Sequence, residues 1–287
     1  MPEPERRTMP RKPGARSAFE RDGAMERRLG KALEGWTVYA FPSVSSTMEL
    51  AHELADDGAP EHTLVFARRQ EQGRGRLGRT WASPEGGAYF SVILRPKRPV
   101  REISQLSLVA GLAAAEAVNR LTGLYPAIRW PNDLLLEGRK LAGILTESRN
   151  GAVVLGIGIN VTTEPDDLPD GAVSLTAALG SNSELPTPPA RPGVPGRANS
   201  ELIDQLTIEV CRRLAKWYDT WSRKGFDEIR AALRPRIGLF GQVVHVTTGS
   251  DYFEGTAQDL DELGRLVVRL DSGIQRAFEV GEVTLLR

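Results

Sequence analysis

The chain has 287 residues, enough for one large domain and a small one, so core size does not limit the choice of fold. Its 37 basic and 37 acidic residues cancel, which leaves only a local patch for any contact with nucleic acid. The single cysteine, Cys211, excludes an intrachain disulfide and a cysteine-based metal cluster, and no apolar run approaches the ~18 residues that span a bilayer.

Residues 1–31 carry nine Lys or Arg and five Asp or Glu with little apolar periodicity, so a disordered tail is expected up to about Leu29. The N-terminus has charges but no hydrophobic signal region after them, and the cytoplasm is the expected compartment. From Trp36 the texture changes. Thr37 to Phe41 reads as a strand, and Ser46 is placed to cap a helix carrying Met48, Leu50, Ala51 and Leu54. Thr63 to Ala67 and Ala88 to Leu94 read as further strands. Ser104 opens a helix with Leu106, Val109, Ala113 and Leu121 on one face, closed by Gly123.

Ala127 to Trp130, Leu134 to Leu136, Leu141 to Glu147 and Val153 to Val161 add strands, giving an α+β pattern with a mainly antiparallel sheet. Residues 180–199 are a Pro-rich insertion in which eight of twenty positions are Pro or Gly. A helical stripe follows through Ile203, Leu206, Val210, Leu214, Trp217 and Trp221, with Cys211 beside it as a small core side chain. Short strands and tight turns from about Gly238 read as a small all-β barrel. The expected domains are thus the tail 1–31, a catalytic domain 32–235 and a C-terminal barrel 236–287.

Three stretches carry chemistry. Gly73-Arg74-Gly75-Arg76-Leu77-Gly78-Arg79-Thr80-Trp81 contains GxGxxG, but no helix with a distant acidic residue follows, so the dinucleotide fingerprint fails. Its glycines let backbone N–H groups approach an anion, and Arg74, Arg76 and Arg79 supply fork-shaped donors; a mobile solvated basic loop is the alternative. In the stretch from Arg129 to Glu147, Glu137-Gly138 forms a two-residue hairpin turn. That turn pairs Leu136 with Arg139, Leu135 with Lys140 and Asp133 with Ala142, and it sets Asp133 and Lys140 diagonally on one face. A lysine beside a carboxylate among apolar neighbours suits transition-state stabilisation, while a plain surface ion pair is the alternative. Gly156-Ile157-Gly158-Ile159-Asn160 puts two glycines at alternate strand positions, which fits close approach of a ligand or of tight packing.

Together GRGRLGRTW, RWPNDLLLEGRKLAGIL and GIGIN resemble the biotin protein ligase family, from about Val38 to the C-terminus outside the insertion. The resemblance implies a mixed, mainly antiparallel sheet flanked by helices (class II aminoacyl-tRNA synthetase/biotin ligase-like) and then an SH3-like β-barrel. It implies activation of biotin by MgATP to biotinyl-5′-AMP and transfer to a lysine of a biotin carboxyl carrier domain of acetyl-CoA or other acyl-CoA or pyruvate carboxylases. By matching position, Ser46, Thr47, Gln70, Gly73, Arg74, Lys140 and Gly143 are the biotin-binding candidates. Arg74, Arg76, Arg79, Trp81, Asn132, Lys140 and Asn160 are the ATP or adenylate candidates. Lys140, Arg74 and Asp133 are the catalytic candidates. Magnesium travels with ATP, no metal ligand is assigned, and Asp133 is a candidate for the metal or for the transfer step.

One departure is Met48, which stands where the family's Ser-Thr-Asn has its amide. The other is the short N-terminal region, which implies no winged helix-turn-helix and no DNA binding. A monomer or weak homodimer with no membrane contact is expected. Rival readings are a lipoate or octanoate ligase of the same superfamily, a nucleic-acid-binding module, and an inactive carrier-binding relative.

Overall fold

In the computed structural model, residues 19–181, 197–279 and 281–285 are described. The expectation of a tail reaching Leu29 is corrected: α1 (Gly23–Ala32) is a helix whose N-cap, Asp22, accepts a hydrogen bond from the Met25 N–H. Met25, Leu29 and Leu33 recur every four residues and are buried, and Arg28 pairs with Asp204 at 3.0 Å. Each such side chain contributes about 1.5–3 kcal/mol on burial, which outweighs the charged texture that suggested disorder. Residues 1–18 of the expected tail lie outside the described residues, as do residues 182–196 of the Pro-rich insertion.

Strands β1 (Thr37–Val44), β2 (Thr63–Gln70), β3 (Gly87–Leu94), β4 (Ala127–Arg129), β5 (Asp133–Leu136), β6 (Arg139–Arg149) and β7 (Ala152–Asn160) form one seven-stranded sheet in the order β1-β2-β3-β7-β6-β5-β4. Only β1 and β2 run parallel; the other pairs are antiparallel, as the mixed α+β pattern anticipates.

Side-chain alternation decides what covers each face. On β7, Val153, Leu155, Ile157, Ile159 and Val161, just past its end, join the large core with α1, α3 (Gln105–Thr122), α5 (Arg197–Lys224) and α6 (Asp227–Leu233). Ala152 and Val154 face the other way, into a smaller core with α2 (Thr47–Asp56). Further along that second face come Gly156, Gly158 and Asn160. There α2 has ended, so the sheet surface beyond Met48 is not covered by that helix. Helix α3 closes at Gly123, which is left-handed at φ 75° as its C-cap position requires. A short helix, α4 (Leu175–Ser181), follows the segment that β6 leans on.

The C-terminal strands β8 (Val243–Thr248), β9 (Asp251–Leu260), β10 (Leu266–Leu270), β11 (Gln275–Phe278) and β12 (Glu282–Leu285) form an antiparallel sheet in the order β11-β10-β9-β8-β12. It is open rather than a closed barrel. The two four-residue strands β11 and β12 are its edges and are not paired with each other among the described residues. The turn between β9 and β10 docks this sheet on the larger one. There the Trp130 indole N–H donates to the Gly264 carbonyl at 3.0 Å, and the Gln105 amide donates to the Glu262 carbonyl at 3.0 Å.

Candidate functional site

The open part of the sheet floor is one transverse row. Tyr89, Gly158, Gly143, Asp133 and Arg129 are direct partners across β3, β7, β6, β5 and β4. Residues paired in this way share a face, so the row reads ring, gap, gap, carboxylate, guanidinium. The indole of Trp81 lies in the gap: a Cβ on Gly158 would come 2.5 Å from its Nε1, and one on Gly143 would come 2.8 Å from its six-membered ring. The Trp81 indole N–H is buried without a hydrogen-bond partner, as is the Tyr89 hydroxyl. Burial pushes the Tyr89 phenol well above its ordinary pKa.

The hairpin register differs from the sequence expectation in one respect. Glu137 (φ 50°) and Gly138 (φ 77°) make the expected turn, and Leu136–Arg139 and Leu135–Lys140 pair as anticipated. Asp133, however, opposes Gly143 rather than Ala142, because the register slips between Leu134 and Leu135. An extra residue in β6 rotates the strand, so Lys140 and Gly143 reach the same face although three positions apart.

The Asp133 carboxylate consequently holds two cations. Lys140 Nζ lies 2.8 Å from Oδ1, an ion-pair approach off the hydrogen-bond direction, and Arg129 donates to Oδ2 at 2.6 Å. Lys140 also stands 5.2 Å from the centre of the Trp81 ring. Its backbone is pinned between Gly171 and Val173, and the Asn160 amide donates to the Val173 carbonyl at 3.3 Å.

At the other end of the gap, Gln70 Oε1 accepts from the Thr47 N–H (2.9 Å) and hydroxyl (3.0 Å), while its amide donates to Ser83 at 2.8 Å. Ser91 donates to Thr47 at 2.9 Å. Ser46 is the N-cap of α2, yet its hydroxyl makes no cap bond and is buried without a partner. Met48 does not present an open polar site. Its sulfur packs where a Cβ on Gly156 would lie, 2.5 Å away, and it belongs to the small core.

The arginine loop is a small hairpin, bridged at Arg74 and Thr80, with Leu77 left-handed at φ 55° and exposed at its tip. Gly73 is required where the strands cross, since a Cβ there would come 2.3 Å from the Trp81 carbonyl oxygen. Each arginine rests on a different element. Arg74 pairs with Glu147 of β6 at 2.7 Å, and Glu147 also meets His52 of α2 at 2.9 Å. Arg76 donates to Asn132 Oδ1 at 2.8 Å, and Arg79 pairs with Glu282 of β12. Burial draws the Arg76 guanidinium below its ordinary pKa, opposed by Asp133 and Glu282 and assisted by Arg79.

These parts enclose a cavity of about 270 Å³. Thr47, Gln70, Arg74, Arg76, Arg79, Trp81, Asn132, Asp133, Lys140 and Gly143 all line it, so the structure unites most of the sequence candidates. Ser46, Gly73 and Asn160 stand behind the wall instead. Sequence reasoning did not single out Arg129, Tyr89, Glu147 or Glu282. Arg129 lay inside a quoted motif, whereas nothing local marks Glu282, which reaches the cavity from the C-terminal sheet with Gly281, Val283 and Thr284.

A slot with a bare glycine floor, a lysine held by a carboxylate and three loop arginines defines an enzyme class that handles a small anionic ligand. Comparison narrows the class. The model of the Biotin/lipoate A/B protein ligase family matches residues 40–164, and that of the Biotin protein ligase C terminal domain matches residues 239–286. The chain is 34% identical over 277 residues to the bifunctional ligase/repressor BirA of Bacillus subtilis, covering 93% of this chain and 79% of that protein. It is 36% identical over 240 residues to the biotin–[acetyl-CoA-carboxylase] ligase of Paracoccus denitrificans, covering 80% and 93%. Among solved structures, the biotin protein ligase of Aquifex aeolicus in complex with biotin and ATP matches with a TM-score of 0.71 and 29% identity, over 88% of this chain and 99% of that one. The chain belongs to the biotin protein ligase family.

Proposed function

We propose that the glycine row is the floor on which biotin and its adenylate lie, with the ureido end toward Thr47 and Gln70 and the carboxylate toward Lys140. As a biotin ligase, the enzyme activates biotin with ATP to biotinyl-5′-AMP and transfers it to a carboxylase carrier domain. The observation that carries the site reading is Lys140 held at 2.8 Å from Asp133 beside the bare Gly143–Gly158 floor. An ammonium fixed there stabilises negative charge that builds on the biotin carboxylate and the α-phosphate, without reorganising during the reaction.

Arg74, Arg76 and Arg79 leave their present acceptors and close on the adenylate. Trp81 swings off the floor to stack on it, Asn132 steadies Arg76, and Asn160 steadies the segment at Val173 that pins Lys140 of β6. Thr47 offers its hydroxyl to the head group and the bare Gly143 lets it approach the backbone, while Ser46 and Gly73 support the wall from behind. Magnesium enters with ATP. Asp133 is a poor metal ligand in this arrangement, because a cation already faces each of its oxygens.

We further propose residues 32–235 as the catalytic unit, to which α1 adds a helix, and 236–287 as the C-terminal unit. A monomer or weak homodimer acting in the cytoplasm on acyl-CoA or pyruvate carboxylases is the working expectation. No helix among the described residues is long and apolar enough to cross a membrane. The test is biotin-dependent exchange of label between pyrophosphate and ATP, followed by label transfer to a carrier domain. Exchange with lipoate or octanoate but none with biotin would overturn the reading.

A further inference from the structure

The row that carries the floor does not end at Asp133. One strand further out, directly opposite Asp133, stands Arg129 on β4. Adjacent strands are about 4.8 Å apart, so Arg129 is roughly 10 Å beyond Gly143 along the row. It lines the same cavity, and its side chain is 39% exposed, whereas Asp133 is nearly covered. The three loop arginines are engaged with Glu147, Asn132 and Glu282 and must move to meet a ligand. Arg129 projects from the sheet itself and is fixed by a single bond to Asp133, which leaves most of its five N–H donors unused.

The charges decide what this edge attracts. Asp133 is shared between Lys140 and Arg129, so the trio, all three lining the cavity, carries one net positive charge. A guanidinium fork matches phosphate oxygens in pairs. Resting on the proposed function, we infer that Arg129 is a further catalytic residue of the adenylation step, the cation that receives the leaving pyrophosphate. In that step a biotin carboxylate oxygen bonds to the α-phosphorus, and the bond from that phosphorus to the bridging oxygen breaks. The electron pair leaves on the pyrophosphate. Lys140 stabilises the charge at the α-phosphate and Arg129 the charge on the departing group, while Asp133 keeps the two cations a carboxylate's width apart. Transfer to the carrier lysine involves no pyrophosphate, so Arg129 has no part in it.

The test uses the full chain and three variants of the same position, Arg129→Gln, Arg129→Ala and Arg129→Lys. Pyrophosphate–ATP exchange is measured against pyrophosphate and against biotin, and transfer is measured separately from supplied biotinyl-AMP. The expected result is a rise of about tenfold or more in the KM for pyrophosphate with Gln and Ala, partly restored by Lys. The KM for biotin and the transfer rate stay within about twofold. An unchanged pyrophosphate KM overturns the inference. So does a parallel loss of transfer and biotin affinity, which is what a residue that merely positions Asp133 would give. If the unaltered chain shows no biotin-dependent exchange, the proposed function fails instead, and the two failures are told apart.

Discussion

Gly143 and Gly158 oppose each other in register on β6 and β7, and the space that both Cβ atoms would fill is taken by the indole of Trp81. Neither glycine serves a turn, since neither has positive φ. They are glycines because something flat must lie on the strands. In this structure that object is Trp81, whose ring lies on the surface where we place biotin, so the proposed binding mode has the ring move aside.

Gly158→Val therefore blocks both occupants. The strand accepts valine, and overpacking costs about 1–3 kcal/mol. The expected outcome is a folded protein with unchanged far-ultraviolet circular dichroism and a KM for biotin raised by about tenfold or more, roughly 1.4 kcal/mol in binding. A variant with normal biotin KM would remove the glycine floor from the site.

Much of this was legible in the sequence because motif and geometry coincide locally. The Glu137-Gly138 turn fixes a hairpin, and the alternate glycines of β7 announce a close approach. The rest depends on contacts that sequence order hides. The β6 bulge exchanges Ala142 for Gly143 opposite Asp133, and no residue near it signals the slip. Glu282 meets Arg79 from a different sheet, some two hundred positions away. Helix α1 was obscured by its charges, although the four-residue spacing of Met25, Leu29 and Leu33 was present. Closure of the C-terminal sheet cannot be read from strand patterning, because alternation reports faces and not which edges meet.

Glu147→Gln tests whether Arg74 is held back in the absence of ligand. Arg74 rests on Glu147, and an anionic adenylate competes with that carboxylate for the same guanidinium. Removing the charge should tighten binding of a biotinyl-adenylate analogue. A half-exposed ion pair is worth ~0.2–1 kcal/mol, so calorimetry should show a gain of roughly 1.5- to 5-fold. Weaker binding would mean that Glu147 orients Arg74 for the ligand instead of competing with it.

Asp204 gives a pH signature away from the site. Burial raises its carboxyl pKa despite the nearby Arg28, and its Oδ1 has no hydrogen-bond partner. A folded pKa above the unfolded one means that folding favours the protonated acid. Stability from this group is then fully present below the unfolded value, near 3.9, and is lost as pH rises through the folded value. Asn mimics the protonated form at every pH. Asp204→Asn should melt above the unaltered chain at pH 7, with the two converging below about pH 4. An Asp204→Asn variant that melts lower at pH 7 would show that the Arg28 pair outweighs desolvation.

Lys140 and Asp133 are best tested as a pair. Lys140→Ala removes one preorganised donor and should lower biotin-dependent exchange on the order of 10²–10³-fold. Asp133→Asn keeps the side-chain volume but leaves Lys140 and Arg129 facing each other without the charge between them. Lys140 then loses the contact that aims it at the reacting oxygens, so exchange should fall even though the lysine is intact. If Asp133 acts through Lys140, adding Asp133→Asn to Lys140→Ala should cost much less than it costs alone. A coupling above about 1 kcal/mol is expected for residues in one network. Melting curves on all three variants separate this from unfolding, because a nearly covered carboxylate with two cations also carries part of the hairpin's stability. Strictly additive losses in exchange would show that Asp133 contributes independently of the lysine, through Arg129 or through a contact of its own with the substrate.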